Sequence, residues 1–190
     1  MEFREVLQGR RSVRAFEDQP LSPEQVEDLI QAAQWAPSPL NLQPWRFLLI
    51  DRPELKAEVR RLGEAAAQAV IQGGGPSWVK KYGFDFLEQA PLLILVLYDP
   101  KKAGLGTYFN QPSGALAAAA AAIQNLMLAA AEMGLGTVWF TFFDPAELAR
   151  SLGVPPGLEI AGLVPVGVPA QEPPVPPRKP ARVYRNQFDD

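Results

Sequence analysis

Apolar and polar positions along the chain fall into stretches of recognisable period. Residues 2–8 predict a short helix stopped at Gly9. Ser22-Pro23-Glu24-Gln25 opens a second: Ser22 can cap, Pro23 suits the first turn and Gln25 completes a capping box. Val26, Leu29, Ile30 and Ala33 then share one face, and Ala36-Pro37-Ser38-Pro39 ends the helix. Residues 46–50 read as a buried strand, 53–72 as a helix ended by Gly73-Gly74-Gly75, and 91–98 as a strongly apolar strand. Residues 77–89 fit no single period and are helical only in part; 101–112 read as a loop. A long helix is predicted over 113–133, stopped by Gly134. Residues 136–141, β-branched and aromatic, read as a strand. Asp144-Pro145-Ala146-Glu147 is a second capping box, opening a helix to about Leu152, and 158–168 form the last strand.

Long helices with few strands predict an α+β layer structure, a mixed sheet under helices. No repeat and no linker interrupts it, so residues 1–190 read as one domain. Residues 169–190 are proline-rich. A free tail of that composition is a disordered linker. Val175, Val183, Tyr184 and Phe188 suit instead an extended C-terminal arm that packs on something. Residues 114–131 are apolar enough to suggest a membrane span. They are mostly alanine, which gains little in lipid, and contain Gln124-Asn125, so a buried helix of a soluble protein is expected.

Composition then narrows the chemistry. The 190 residues are 47% hydrophobic and 21% charged with net charge −3, which fits a globular chain and gives no indication of a nucleic-acid or anionic-membrane partner. Cysteine and histidine are both absent. That removes disulfides, thiolate nucleophiles, Ser-His triads and the commonest metal sites, so redox chemistry would have to belong to a bound cofactor. The N-terminus, Met1-Glu2-Phe3-Arg4-Glu5, lacks the apolar core of a signal peptide, and a cytoplasmic location is expected. Arginines cluster at both ends: Arg4, Arg10, Arg11 and Arg14, then Arg178, Arg182 and Arg185.

Four segments carry candidate chemistry. In Arg10-Arg11-Ser12-Val13-Arg14, an extended backbone would put Arg10, Ser12 and Arg14 on one face, two guanidinium forks around a hydroxyl, suited to phosphate. Taken alone the segment reads better as a solvated basic stretch after a helix. Pro37-Ser38-Pro39-Leu40-Asn41-Leu42-Gln43-Pro44-Trp45 has an unusual, proline-fixed path. Its Ser38 and Asn41 either meet a polar ring edge or satisfy their own loop. Gly134-Leu135-Gly136-Thr137-Val138-Trp139-Phe140-Thr141 follows a helix and precedes a strand, the reverse of a dinucleotide fingerprint. Its aromatics either fill the core or wall a flat ring. Pro176-Pro177-Arg178-Lys179-Pro180 stiffens a segment that delivers a cation.

In this order the four segments resemble the nitroreductase-like FMN-dependent flavoproteins, across nearly the whole chain. The resemblance implies an interlocked homodimer with FMN at its interface and a small-molecule substrate. Arg10 and Arg178, with Arg11 and Ser12 beside them, would take the phosphate, and Arg14 would face the pyrimidine end. Pro37, Ser38 and Asn41 would reach the flavin from the partner, and the arm would wrap that partner. Trp139, Phe140 and Thr141 would back the ring, a backbone N–H near Thr141 lying close to flavin N5. NADH or NADPH would give hydride to the flavin, and a nitroaromatic or quinone would then take the electrons, without a catalytic side chain or a metal. Many members carry an asparagine and a lysine before the second strand; here residues 82–86 read Tyr-Gly-Phe-Asp-Phe. The insertion forming much of the substrate lid in larger members is short. Residues 136–145 also look like the oxygen-dependent branch that fragments FMN to dimethylbenzimidazole, although Asn41 stands where that branch usually differs. Dehalogenation is a third possibility, and a flavin-binding protein without turnover a fourth.

Overall fold

The computed structural model describes residues 2–188. Its centre is β2 (Leu92–Tyr98), an unbroken apolar run buried along its length. Strands are ordered β1-β2-β4-β3, with β1 at Trp45–Ile50, β3 at Gly136–Thr137 and β4 at Glu159–Gly167. All three strand pairings are antiparallel, and a parallel bridge from Ser12 to Thr137 makes the sheet mixed.

The two-residue period of β2 builds two cores. Leu92, Ile94, Val96 and Tyr98 belong with α2 (Pro23–Gln34) and α5 (Gly114–Glu132) on one face. Leu93, Leu95 and Leu97 belong with α3 (Pro53–Gln72) and α4 (Phe86–Gln89) on the other. Complete burial of Leu93, Ile94 and Leu95 contributes about 1.5–3 kcal/mol each relative to exposure. Two short helices, α1 (Phe3–Gly9) and α6 (Pro145–Ser151), complete the set.

Helix α5 is long and apolar enough to cross a membrane by length and composition. Yet Ala115, Ala118, Ala119, Ala122, Ile123, Leu126, Met127 and Ala130 are buried in the first core. Asn125 Nδ2 donates to the Ala32 carbonyl of α2 at 3.2 Å. The helix stops as expected: Gly134 turns left-handed (φ 76°), and the Leu135 N–H returns to the Ala130 carbonyl at 2.8 Å. The Ser22 capping box forms too, each side chain accepting the other residue's N–H.

Several expectations need correction. β1 is an edge strand, so Arg46 and Leu49 are exposed. The strand expected over 136–141 stops after Thr137. There Trp139 folds its indole onto the neighbouring strand, Nε1 donating to the Ala161 carbonyl at 3.2 Å, and the ladder resumes only where Phe140 and Leu163 exchange hydrogen bonds at 2.8 and 2.9 Å. Asp144 caps α6, but Glu147 turns to Arg150 (2.7 Å) instead of closing the box. Residues 77–89 hold a tight turn (Ser77–Lys81) and α4; the loop after β2 holds two more, Pro100–Lys102 and Gly104–Phe109. The start of the arm is tied down by a bridge from Phe16 to Pro169 and by the Ala170 N–H on the Ala15 carbonyl (3.0 Å). Beyond that, Val175, Val183 and Phe188 stand exposed. Asp189 and Asp190 lie outside the described residues.

Candidate functional site

After α1 the chain runs beside β3. The Val13 N–H donates to the Thr137 carbonyl at 2.9 Å. This approach explains the second glycine of Gly134-Leu135-Gly136, since a Cβ at Gly136 would lie 2.7 Å from Val13 Cγ2. One glycine ends a helix and the other admits the arginine segment.

Arg10 is half-buried, and its Nη1 is buried with no hydrogen-bond partner among the described residues. Its pKa is lowered, first by burial and then by the nearby Arg178 and Arg11. The sign follows: a base whose folded pKa lies below its unfolded one carries a destabilising charge throughout neutral pH, relieved only at strongly alkaline pH or by a bound anion. A buried donor without an acceptor adds its own cost. Arg11 is already engaged. Its Nη1 donates to the carbonyls of Gln8 and Arg10, closing the end of α1. Ser12 is exposed. A cleft of about 420 Å³ opens here, lined by Val6, Arg10, Arg11, Leu135, Glu172 and Val175 among others. The stiffened arm thus brings Arg178 into the field of Arg10 from 168 positions away in sequence. Arg14, exposed, reaches Tyr82: Nε donates to the hydroxyl at 3.3 Å and the guanidinium carbon lies 5.8 Å from the ring centre.

The second segment is built differently. Leu40, Asn41 and Gln43 all take left-handed backbone, at φ 50°, 53° and 45°. Such residues cost about 1–3 kcal/mol each and persist only when held in place. Here Ser38 Oγ accepts the Gln43 N–H at 3.0 Å, and Asn41 Oδ1 accepts from Gln43 Nε2 at 3.1 Å. Pro37 and Asn41 are exposed.

The third segment needs correction. Trp139 and Phe140 do not form one wall. Extended backbone sends them to opposite faces, and the Phe140 ring, 2% exposed, packs with Phe84, Phe86 and Phe143 in the second core. Trp139 keeps 37% of its surface exposed, and Thr141 is exposed.

The placement of these groups along α5 matters most. Pro39 packs against Gly114, the first residue of α5. Ala131 and Gly134, at the last turn, share the cleft of Arg10. Nineteen residues separate these ends, a rise of roughly 28 Å, longer than an extended flavin mononucleotide. Arg10, Ser12, Arg14 and residues 137–141 therefore gather at one end of one chain with Arg178, while Ser38 and Asn41 stand at the other. Tyr82 was missed in the sequence; its one signal there was a hydroxyl-bearing ring where polar contacts were sought.

Comparison with known proteins points to one family. The description of the Nitroreductase family matches residues 7–168. An iodotyrosine deiodinase of Thermotoga neapolitana is 31% identical over 97% of both chains. A 5,6-dimethylbenzimidazole synthase of Rhodobacter capsulatus is 34% identical over 87% of this chain and 82% of its own. The solved structure of an oxidized iodotyrosine deiodinase bound to FMN and 3-iodo-L-tyrosine superposes with a TM-score of 0.85 at 28% identity, covering 98% of this chain and all of that one. A cationic segment docked on the sheet edge, a fold shared nearly end to end and a match through most of the sequence make this chain a member of the nitroreductase family.

Proposed function

We propose that the protein is a cytoplasmic, FMN-dependent reductase of small acceptors, working as a homodimer whose two sites are each assembled from both copies. The observation that carries this reading is the buried, unpartnered Nη1 of Arg10 beside Arg178. A phosphate monoester supplies the acceptors and the charge that this pair lacks. Ser12 adds a hydroxyl at the same end, and Arg14 serves the pyrimidine edge. The backbone near Thr141 offers an N–H to the ring, and Trp139, with its indole tied to Ala161, gives that region a fixed aromatic surface. Pro37, Ser38 and Asn41 come from the second copy, because α5 holds them too far from Arg10 in their own.

When bound, FMN supplies the two-electron chemistry, drawing on NADH or NADPH and serving a nitroaromatic, quinone or halogenated phenol. The chain's part is position and charge. Without histidine it has no side chain whose unperturbed pKa lies near neutral pH. Similarity to an iodotyrosine deiodinase over nearly all of both chains supports including halogenated phenols among the acceptors. The similarity to a dimethylbenzimidazole synthase supports a second reading, oxygen-dependent fragmentation of reduced FMN.

The test uses purified protein incubated with FMN, without oxygen. NADH or NADPH should bleach the flavin, and one of the three acceptors should restore its colour, with parallel steady-state plots. Failure of both nicotinamides, with a benzimidazole formed from reduced FMN and oxygen, would establish the second reading instead. Retention of FAD, or of no flavin, would overturn both.

A further inference from the structure

The segment before β2 lacks the asparagine and lysine that the family resemblance leads one to expect at the flavin's carbonyl edge. Tyr82 lies in that segment, and its hydroxyl meets Arg14. The phenol oxygen accepts the Arg14 Nε–H at 3.3 Å, and the guanidinium carbon lies 5.8 Å from the ring centre. Donating through Nε leaves both terminal nitrogens of Arg14 to donate elsewhere. Tyr82 is itself held firmly. Its ring is in edge-on or tilted contact with Trp78, Phe84, Phe86 and Phe142, at centroid distances of 5.9, 5.1, 6.4 and 5.6 Å. Four rings thus fix the phenol, and the phenol fixes a long, exposed arginine.

We propose that Tyr82 is a positioning residue that holds Arg14 at the pyrimidine edge of the flavin and so raises the flavin's affinity for electrons. This rests on the FMN reading above. Reduction places negative charge on the pyrimidine end, so a cation fixed there favours the reduced form. An untethered arginine spreads over many rotamers and delivers less of that charge. Tyr82 acts only through Arg14.

The experiment is a measurement of the flavin midpoint potential in full-length, FMN-loaded protein. Arg14→Ala should weaken binding of reduced relative to oxidised FMN about tenfold, a fall of about 30 mV for a two-electron couple. Tyr82→Phe keeps the ring and loses the acceptor, and the expected fall is about 15 mV, a factor of about three. Tyr82→Leu, which removes the ring as well, should approach Arg14→Ala. The double variant Arg14→Ala with Tyr82→Phe should match Arg14→Ala alone, because nothing remains to be positioned. A Tyr82→Phe potential equal to wild type, with only thermal stability lowered, would overturn the proposal. So would additive shifts in the double variant, or an unchanged potential in Arg14→Ala. If the wild-type protein retains no FMN, the FMN reading itself has failed, and that is seen before any variant is compared.

Discussion

The two ends of α5 are unfinished in opposite ways. At its C-terminal end, Arg10 is conformationally ordinary but electrostatically unsatisfied, with a buried donor unpaired and two further arginines close by. At its N-terminal end, the 38–43 loop is hydrogen-bonded through its own side chains but conformationally strained, with three left-handed residues among four. One end holds an unsatisfied donor; the other spends stability to hold a shape. On the proposed reading, charge and shape for one site are stored separately along a helix, and a second copy is what joins them.

The most severe way to break this picture is to remove the arm. A chain ending at Val168 loses Arg178 and the exposed Val175, Val183 and Phe188. It should lose both dimer and flavin, and a flavin-bound monomer in analytical ultracentrifugation would contradict the two-copy site. Next in size is Arg10→Ala, expected to weaken FMN binding about ten- to 150-fold, since a hydrogen bond to a charged group contributes about 1.5–3 kcal/mol. Arg4→Ala, the same charge change in α1, should alter affinity little.

Mixed dimers sharpen the comparison. When Arg10→Ala and Asn41→Ala chains are co-expressed, one site of each heterodimer carries both lesions and the other carries none. Flavin titration of the purified heterodimer should find half its sites at wild-type affinity. Sites formed within single chains would all be damaged. A smaller effect is expected from Ser38→Ala. Loss of the acceptor for the Gln43 N–H should cost about 1 kcal/mol of thermal stability and a severalfold loss of flavin affinity.

The smallest effect separates the two ends by pH. Tyr98 lies at the end of β2 beneath the loop, opposite Trp45, and the next residue's N–H holds the Pro44 carbonyl at 3.0 Å. Burial first, then its hydrogen bond to Glu159 and that carboxylate's charge, push the Tyr98 hydroxyl up to about 12. Stability from a raised pKa is present below the unfolded value near 10 and is lost as pH climbs through 12. Hydrogen exchange should therefore loosen at residues 38–45 in that window while residues 10–14 hold. Tyr98→Phe should abolish the pH dependence.

Much of the fold was legible because local rules governed it. The span 53–72, the Ser22 box and the Gly134 stop depend on neighbours three or four residues away. The cationic end was legible as well, because arginine clusters stand out in an acidic chain. Phe140 was misread because an aromatic run looks alike whether it lines a pocket or fills a core; only its register against Leu163 decides. The left-handed Leu40 carried no glycine to announce it. Tyr82 showed only as a hydroxyl-bearing ring, since its partner lies 68 residues away, and the separation of the two ends appears only when α5 is seen to lie between them.

Helix α5 also poses a problem of rotation. Where it is surfaced with alanine the helix has little steric fingerprint, and Ile123, Leu126 and Met127, packed in the first core, are the bulky contacts that oppose a turn about its axis. Such a turn would carry Gly114 away from Pro39 and shift the wall of the Arg10 cleft together. The bond from Asn125 to the Ala32 carbonyl adds a polar contact against it, because such a turn would break that bond. A hydrogen bond in midspan thereby helps to hold the rotation of a helix whose first residue meets Pro39 and whose last turn walls the Arg10 cleft.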